Sequence, residues 1–274
     1  MSTGRRAPRR RAGSDLGPRV LAAIPAIAFA IFIVVEGGLV FALGVMALGL
    51  ACLHELYGML RGSRPVNLAG FLALIGLVLA ARYGAPAQIL LVAVAAVPVL
   101  FVLTVLRPLD APPTAAIAST LLGVYWIGLA VAHIVLLRDL PHGGGVVIDV
   151  LIGTFLGDTG AYFGGRMFGR RPLAPRISPN KTVEGLVVGM VTAVLAVWLA
   201  STYQEWLHGW QALVLGVAVA IAAPVGDLFE SLVKRGAGAK DAGRLFGAHG
   251  GALDRLDAAL FTLVAGYYVW TAMV

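Results

Sequence analysis

Residues 210–235 read WQALVLGVAVAIAAPVGDLFESLVKR, from Trp210 to Arg235. No charged side chain appears between Trp210 and Gly226, and then Asp227 arrives while the apolar pattern is still running. An apolar run of about 20 residues is long enough to cross a bilayer as a helix. A carboxylate near the end of such a run is costly, and it faces a bundle interior or a wet cavity rather than lipid. This stretch predicts a membrane helix that ends in a functional acid.

The rest of the chain repeats the pattern. Hydrophobic residues make up 59% of the 274, charged residues only 13%, and the mean hydropathy is +0.88. A soluble domain carries nearer a quarter charged. Apolar runs at about 20–35, 38–54, 67–81, 87–106, 114–137, 145–164, 185–203, 210–230 and 257–274 predict an all-α, polytopic helical bundle of about nine transmembrane helices. The 35 glycines suit close helix packing in lipid. Gly37, Tyr83-Gly84-Ala85-Pro86 and Pro112-Pro113 mark short turns between antiparallel neighbours. The single cysteine, Cys52, excludes an intramolecular disulfide framework and a thiolate-rich zinc site. It reads as an apolar filler.

Charge placement sets an orientation. With residues 1–19 as a basic cytosolic tail, alternation over nine spans puts all but two of the 21 Lys and Arg on the cytosolic side. The exceptions are Arg82 and Arg138. The net charge of +7 therefore reflects membrane topology and calls for no nucleic acid. The tail suits anionic lipid and is not read as a cleaved signal peptide, because a second span follows the first closely. The organisation expected is a tail at 1–19, N-terminal helices over 20–140, and a catalytic membrane region over 141–274 with cytosolic loops at 166–182 and 231–257.

Those two loops carry the chemistry. Asp227, Ser231 and Lys234 follow an i, i+4, i+7 spacing and share a helical face. Asp254 and Asp257, at i and i+3, share another. Carboxylates gathered from two helices repel until a cation joins them. Hard oxygen donors without a Cys or His cluster point to Mg²⁺. Lys234, Arg235, Lys240 and Arg255 supply charge for phosphates, and Gly236, Gly238, Gly250 and Gly251 leave backbone amides open to an anion. Together these describe phosphoryl or nucleotidyl transfer. The competing reading is plain surface pairing of the basic residues that follow any cytosolic helix end.

The order of these residues is specific. Ser231-Leu232-Val233-Lys234-Arg235, Lys240-Asp241-Ala242-Gly243, His249-Gly250-Gly251 and Asp254-Arg255-Leu256-Asp257 resemble the signature of the phosphatidate cytidylyltransferase (CDP-diacylglycerol synthase) family. Gly226-Asp227-Leu228 fits the same pattern. So do Asp158-Thr159-Gly160-Ala161-Tyr162 and Ser178-Pro179-Asn180-Lys181-Thr182-Val183-Glu184-Gly185. The resemblance is firm over about 150–274; upstream only His54-Glu55 before Tyr57 is suggestive. Gly247-Ala248 stands where the family usually has Pro-Gly, and Ala252 where a larger apolar residue is usual, which loosens the turn without removing a charge.

The resemblance implies CTP and phosphatidic acid as substrates and CDP-diacylglycerol and pyrophosphate as products. It implies Asp227 and Asp254 as metal ligands, with Asp241 and Asp257 in support. Mg²⁺ is the expected ion, Mn²⁺ an alternative, and a role for K⁺ undetermined. Lys234, Arg235, Lys240 and Arg255 would hold phosphates. Ser178, Lys181, Thr182 and Ser231 would bind substrate, although Thr182 also suits a simple helix cap. Asp158 would line the cavity, and His249 would contact phosphate or act as a structural donor. Asp149 matches no motif. A homodimer in a bacterial-type plasma membrane, with the site facing the cytosol, is the expected setting. A transporter and a CTP-dependent polyprenol or dolichol kinase are the rival readings. A transporter would string its charges across the membrane, whereas here they gather at one face.

Overall fold

The computed structural model describes residues 16–107, 112–243 and 250–274, with side chains from residue 24 onward. Helices stand at each of the nine expected positions. They are α1 (Leu16–Glu36), α2 (Gly38–Met59), α3 (Asn67–Tyr83), α4 (Pro86–Val105), α5 (Pro113–Asp139), α6 (Gly143–Phe168), α7 (Val183–Ser201), α8 (Gly209–Gly236) and α9 (Leu253–Thr271). Six of them, α2 and α4 to α8, are long and apolar enough to cross a membrane on their own. Ile24–Glu36 and α3 are shorter apolar helices, and α9 carries Asp254, Arg255 and Asp257 in its first turns. The chain is a multi-pass membrane protein.

Apolar side chains cover the outside as well as the core. Leu90, Leu91, Val94, Phe101 and Val102 of α4 all face outward, as a lipid-facing helix requires. The main interior cluster includes Leu53 and Leu56 of α2, Leu74 and Leu77 of α3, Ile127 and Leu137 of α5, Val150 of α6, Leu215 and Val219 of α8, and Leu263 of α9, with a small second cluster around Val66, Ala69 and Leu100. Over Val124–Gly128, α5 opens into one π turn. Trp126 in that turn meets Phe229 of α8 edge to face, with ring centroids 4.8 Å apart.

The chain leaves helical structure for one small hairpin in the 166–182 loop. Strand β1 (Pro172–Ala174) pairs antiparallel with β2 (Ser178–Thr182), Pro172 opposite Thr182 and Ala174 opposite Ser178. Composition did not announce it; three prolines and a run of polar residues read as loop. Thr182 then caps α7, its Oγ1 accepting the Gly185 N–H at 3.1 Å. Glu184 turns back to accept the N–H groups of Arg170 and Arg171 at 3.0 and 3.1 Å. The hairpin is thereby fixed to both α6 and α7.

Two ends of the bundle differ in their polar contacts. At one end, Lys181 of β2 pairs with Asp227 of α8, and Arg235 Nε donates to the Ile177 carbonyl at 3.2 Å. The hairpin and the end of α8 therefore share one side, as alternation predicted. At the other end lie the two exceptional arginines. Arg138 Nε donates to the Val34 carbonyl at 2.8 Å, near the close of α1, where a cation suits the helix C-terminus. Arg82 pairs with Asp139 at 3.4 Å. Trp270 Nε1 donates to the Pro141 carbonyl at 2.8 Å, and the His142 ring stacks on Trp206.

Helices α6 and α7 meet along a glycine seam. A β-carbon at Gly189 would lie 2.7 Å from the Ala161 β-carbon and 2.9 Å from the Gly157 carbonyl oxygen. Gly58, by contrast, has open space around it. Gly189→Leu is therefore expected to lower the thermal midpoint of the detergent-purified protein, by an overpacking cost of about 1–3 kcal/mol. Gly58→Ala is expected to leave the midpoint unchanged or raise it slightly. Differential scanning fluorimetry on the two variants checks both signs.

Candidate active site

The site forms where α8 and α9 cross. Pro224 lacks the N–H that would continue the helical ladder, and Gly226 follows two residues later. A β-carbon at Gly226 would lie 2.7 Å from the Asp257 carbonyl oxygen and 3.1 Å from the Ala258 α-carbon. The bare backbone of α8 therefore lets α9 approach at this level. Asp227 on one helix and Asp257 on the other stand beside that crossing.

Three carboxylates converge there: Asp227, Glu230 and Asp257 each offer an oxygen, and these lie within 4.8 Å of one another. Glu230 is 1% exposed. Two lysines meet the acids. Lys181 pairs with Asp227. Lys234, one turn beyond Glu230, pairs with Glu230 Oε2 at 2.5 Å and with Asp254 Oδ1 at 2.8 Å. Asp158 of α6 lies within electrostatic range of Asp227, Lys181 and Asp257, which puts a fourth element at the site.

Asp254 stands on the far side of Lys234. Its oxygens also accept the N–H groups of Ala242, at 2.9 and 3.1 Å, and Gly251, at 2.9 Å. It binds Ala242 and Gly251 to the first turn of α9, where a negative charge complements the helix N-terminus. Gly250, at φ +84°, makes the turn into that contact. Asp254 is thus placed as a loop clasp, and the three converging acids are Asp227, Asp257 and Glu230. Sequence spacing gave Glu230 no role.

The remaining expected residues divide by position. Ser231 is half-buried on α8, beside Glu230. Lys240 and Asp241 are exposed in the turn after α8, and Arg255 is exposed on α9. Ser178 is half-buried in β2, and Thr182 is committed to its cap. His249 lies outside the described residues. Asp149, which no motif claimed, is fully buried on α6 and accepts from Gln204 Nε2 at 2.9 Å.

Charge balance tests whether a metal ion suits this group. Among the described residues, five carboxylates (Asp158, Asp227, Glu230, Asp254, Asp257) gather with two lysines (Lys181, Lys234). With every group ionised, negative charge exceeds positive by three, an excess that a divalent cation reduces. Glu230 Oε1 is buried without a hydrogen-bond partner, and such an oxygen gains most from a cation. The donors are all carboxylate oxygens, the set that hard divalent ions take. The residues present fit a divalent metal.

Comparison with known proteins agrees with this chemistry. A model of the cytidylyltransferase family matches residues 17–273. The chain belongs to the cytidylyltransferase family. Among its similar family members, the phosphatidate cytidylyltransferase of Mycobacterium bovis is 35% identical over 157 residues, 57% of this chain and 51% of that protein. That of Mycobacterium leprae is 36% identical over 156 residues, 57% of this chain and 50% of that protein. That of Brucella suis is 41% identical over 136 residues, 49% of this chain and 50% of that protein. The chain thus spans about half the length of the curated relatives it matches.

The Lys234 pairing gives a stability prediction. Lys234→Met leaves two buried carboxylates facing each other, and breaking a buried pair costs on the order of 3 kcal/mol. Adding Glu230→Gln to that variant removes one stranded charge and is expected to recover part of the loss. Thermal midpoints of the single and double variants in detergent check the order.

Proposed function

We propose that the protein transfers the cytidylyl group of CTP to phosphatidic acid, giving CDP-diacylglycerol and pyrophosphate. The observation that carries the reading is the meeting of Asp227, Glu230 and Asp257 with Lys181 at one end of a lipid-embedded bundle. Family membership narrows the chemistry to cytidylyl transfer, and the names of the relatives point to phosphatidate as acceptor.

The acceptor oxygen needs little activation. A phosphomonoester has its second pKa near 6, so the phosphatidate phosphate is largely a dianion at neutral pH. Its oxygen would attack the α-phosphorus of CTP in line, a new P–O bond forming as the bond to pyrophosphate breaks. No dedicated general base is required. The larger barrier is the approach of two polyanions, and fixed cationic groups lower it. Lys181 is anchored at Asp227, while Arg235 is held at the hairpin. Lys240 and Arg255 stand exposed at the same end, where they would meet the triphosphate.

Asp227, Glu230 and Asp257 would hold Mg²⁺, which when bound would offset the phosphate charge as it shifts toward pyrophosphate. Asp254 would serve this group through Lys234. A site at helix ends lets acyl chains stay in lipid while the nucleotide enters from water. In this reading the end bearing the hairpin faces the cytosol of a bacterial inner membrane. The first 19 residues are a basic tail on that side, residues 20–140 a supporting membrane unit, and 141–274 the catalytic unit.

The test is purified protein with cytidine-labelled CTP, phosphatidic acid and Mg²⁺. Label entering the lipid fraction with pyrophosphate release is expected; release of CDP instead would mark phosphoryl transfer and overturn the reading. Asp227→Ala and Asp257→Ala are each expected to lower kcat by at least about 100-fold. Near-normal turnover in both would remove these acids from the site.

A further inference from the structure

Glu55 belongs to α2, in the N-terminal half of the chain, and has no part in the chemistry described so far. It is 8% exposed. Its Oε2 accepts the N–H of Leu253, the first residue of α9, at 3.0 Å across 198 residues of sequence. Gly243 and Gly251 close on the same carboxylate from two sides, and a β-carbon on either would overlap its oxygens. Oε1 is buried without a hydrogen-bond partner among the described residues. No lysine or arginine forms an ion pair with it among those residues.

A carboxylate buried with so little compensation is expensive, and bulk packing does not call for one. What it does accept is an N–H that the first turn of a helix leaves without an intrahelical partner. It also sets negative charge at the positive end of α9. The same α9 turn carries Asp254, which accepts from Ala242 and Gly251 and pairs with Lys234. Gly251 is thus held on one side by Glu55 and on the other by Asp254. Gly243 packs against Glu55, and its neighbour Ala242 donates to Asp254. Ala242–Gly243 and Gly251 therefore meet two carboxylates, one from each half of the chain.

We propose that Glu55 is a positioning residue for the site: it fixes Gly243, Gly251 and the start of α9, so that Asp254 meets Lys234 and Asp257 faces Asp227. Its effect on turnover rests on the function proposed above; its effect on the loop does not. Glu55 touches no substrate atom in this role. It acts through the backbone of Gly251 and Leu253, and the glycines at 243 and 251 are required because its oxygens occupy the space of a β-carbon.

The experiment pairs hydrogen exchange with turnover on the purified full chain. It compares wild type, Glu55→Ala, Glu55→Gln, Asp254→Asn and the Glu55→Ala/Asp254→Asn double variant. In Glu55→Ala, amides of 242–243 and 251–254 are expected to exchange at least about 10-fold faster while the other helices keep their protection. Turnover is expected to fall about 10–100-fold in kcat, with CTP KM changed far less. Glu55→Gln keeps an acceptor for Leu253 and is expected to restore much of both. Because the two acids hold one loop, the double variant is expected to be no slower than Asp254→Asn. Unchanged exchange over 242–243 and 251–254 overturns the proposal. So does loss of protection spread over all helices with a lowered midpoint, or a double variant whose losses multiply. If wild type transfers no cytidylyl group, the function reading fails and the exchange arm alone decides the placement of Glu55.

Discussion

Lys234 holds the site together. It lies 15% exposed between Glu230 on its own helix and Asp254 on the next, where water screens little and a stranded charge is costly. Through Asp254 it reaches the N–H groups of Ala242 and Gly251. One ammonium therefore joins the end of α8, the glycine loop and the start of α9. It neutralises only part of the acid gathered there. Among the described residues, Asp257 and the second oxygen of Glu230 form no ion pair with a lysine, and the site keeps an appetite for a cation.

Backbone shape makes that arrangement reachable. Gly226 removes the side chain that would hold α8 and α9 apart at the level of Asp227 and Asp257. Phe229, one turn on, packs against Trp126 and Phe261, so the crossing rests on a solid aromatic floor. The hairpin closes the other side, with Thr182 and Glu184 locking its base and Lys181 reaching Asp227. At the opposite end, arginines and tryptophans tie helix ends together without forming a comparable acidic group among the described residues. Polar chemistry is thus confined to one face of an otherwise lipid-adapted bundle.

Much of the fold was legible because lipid imposes a simple rule on composition. Each predicted apolar run is a helix, with ends displaced by a few residues; α8 runs on to Gly236 where apolarity suggested 230. The π turn in α5 left no trace, since its residues are as apolar as their neighbours. The site was legible in outline and blurred in detail. On a helix, positions three and four residues on flank the same face, so spacing from Asp227 pointed to Ser231 as readily as to Glu230, and burial decided between them. The sequence, which marked Asp254 as a metal ligand, does not reveal that Lys234 and two backbone amides engage its oxygens. Glu55 is 198 residues from its partner; its sequence signals were an acid inside an apolar helix and the suggestive His54-Glu55 before Tyr57.

Manganese binding followed by electron paramagnetic resonance tests the metal assignment most directly. Mn²⁺ takes oxygen donors as Mg²⁺ does, and the measurement needs no turnover. Titration of the wild-type protein should show one tightly held ion, lost or weakened at least about 10-fold in Asp227→Asn and in Asp257→Asn. Equal stoichiometry and affinity in wild type and both variants would contradict a metal site built by these acids.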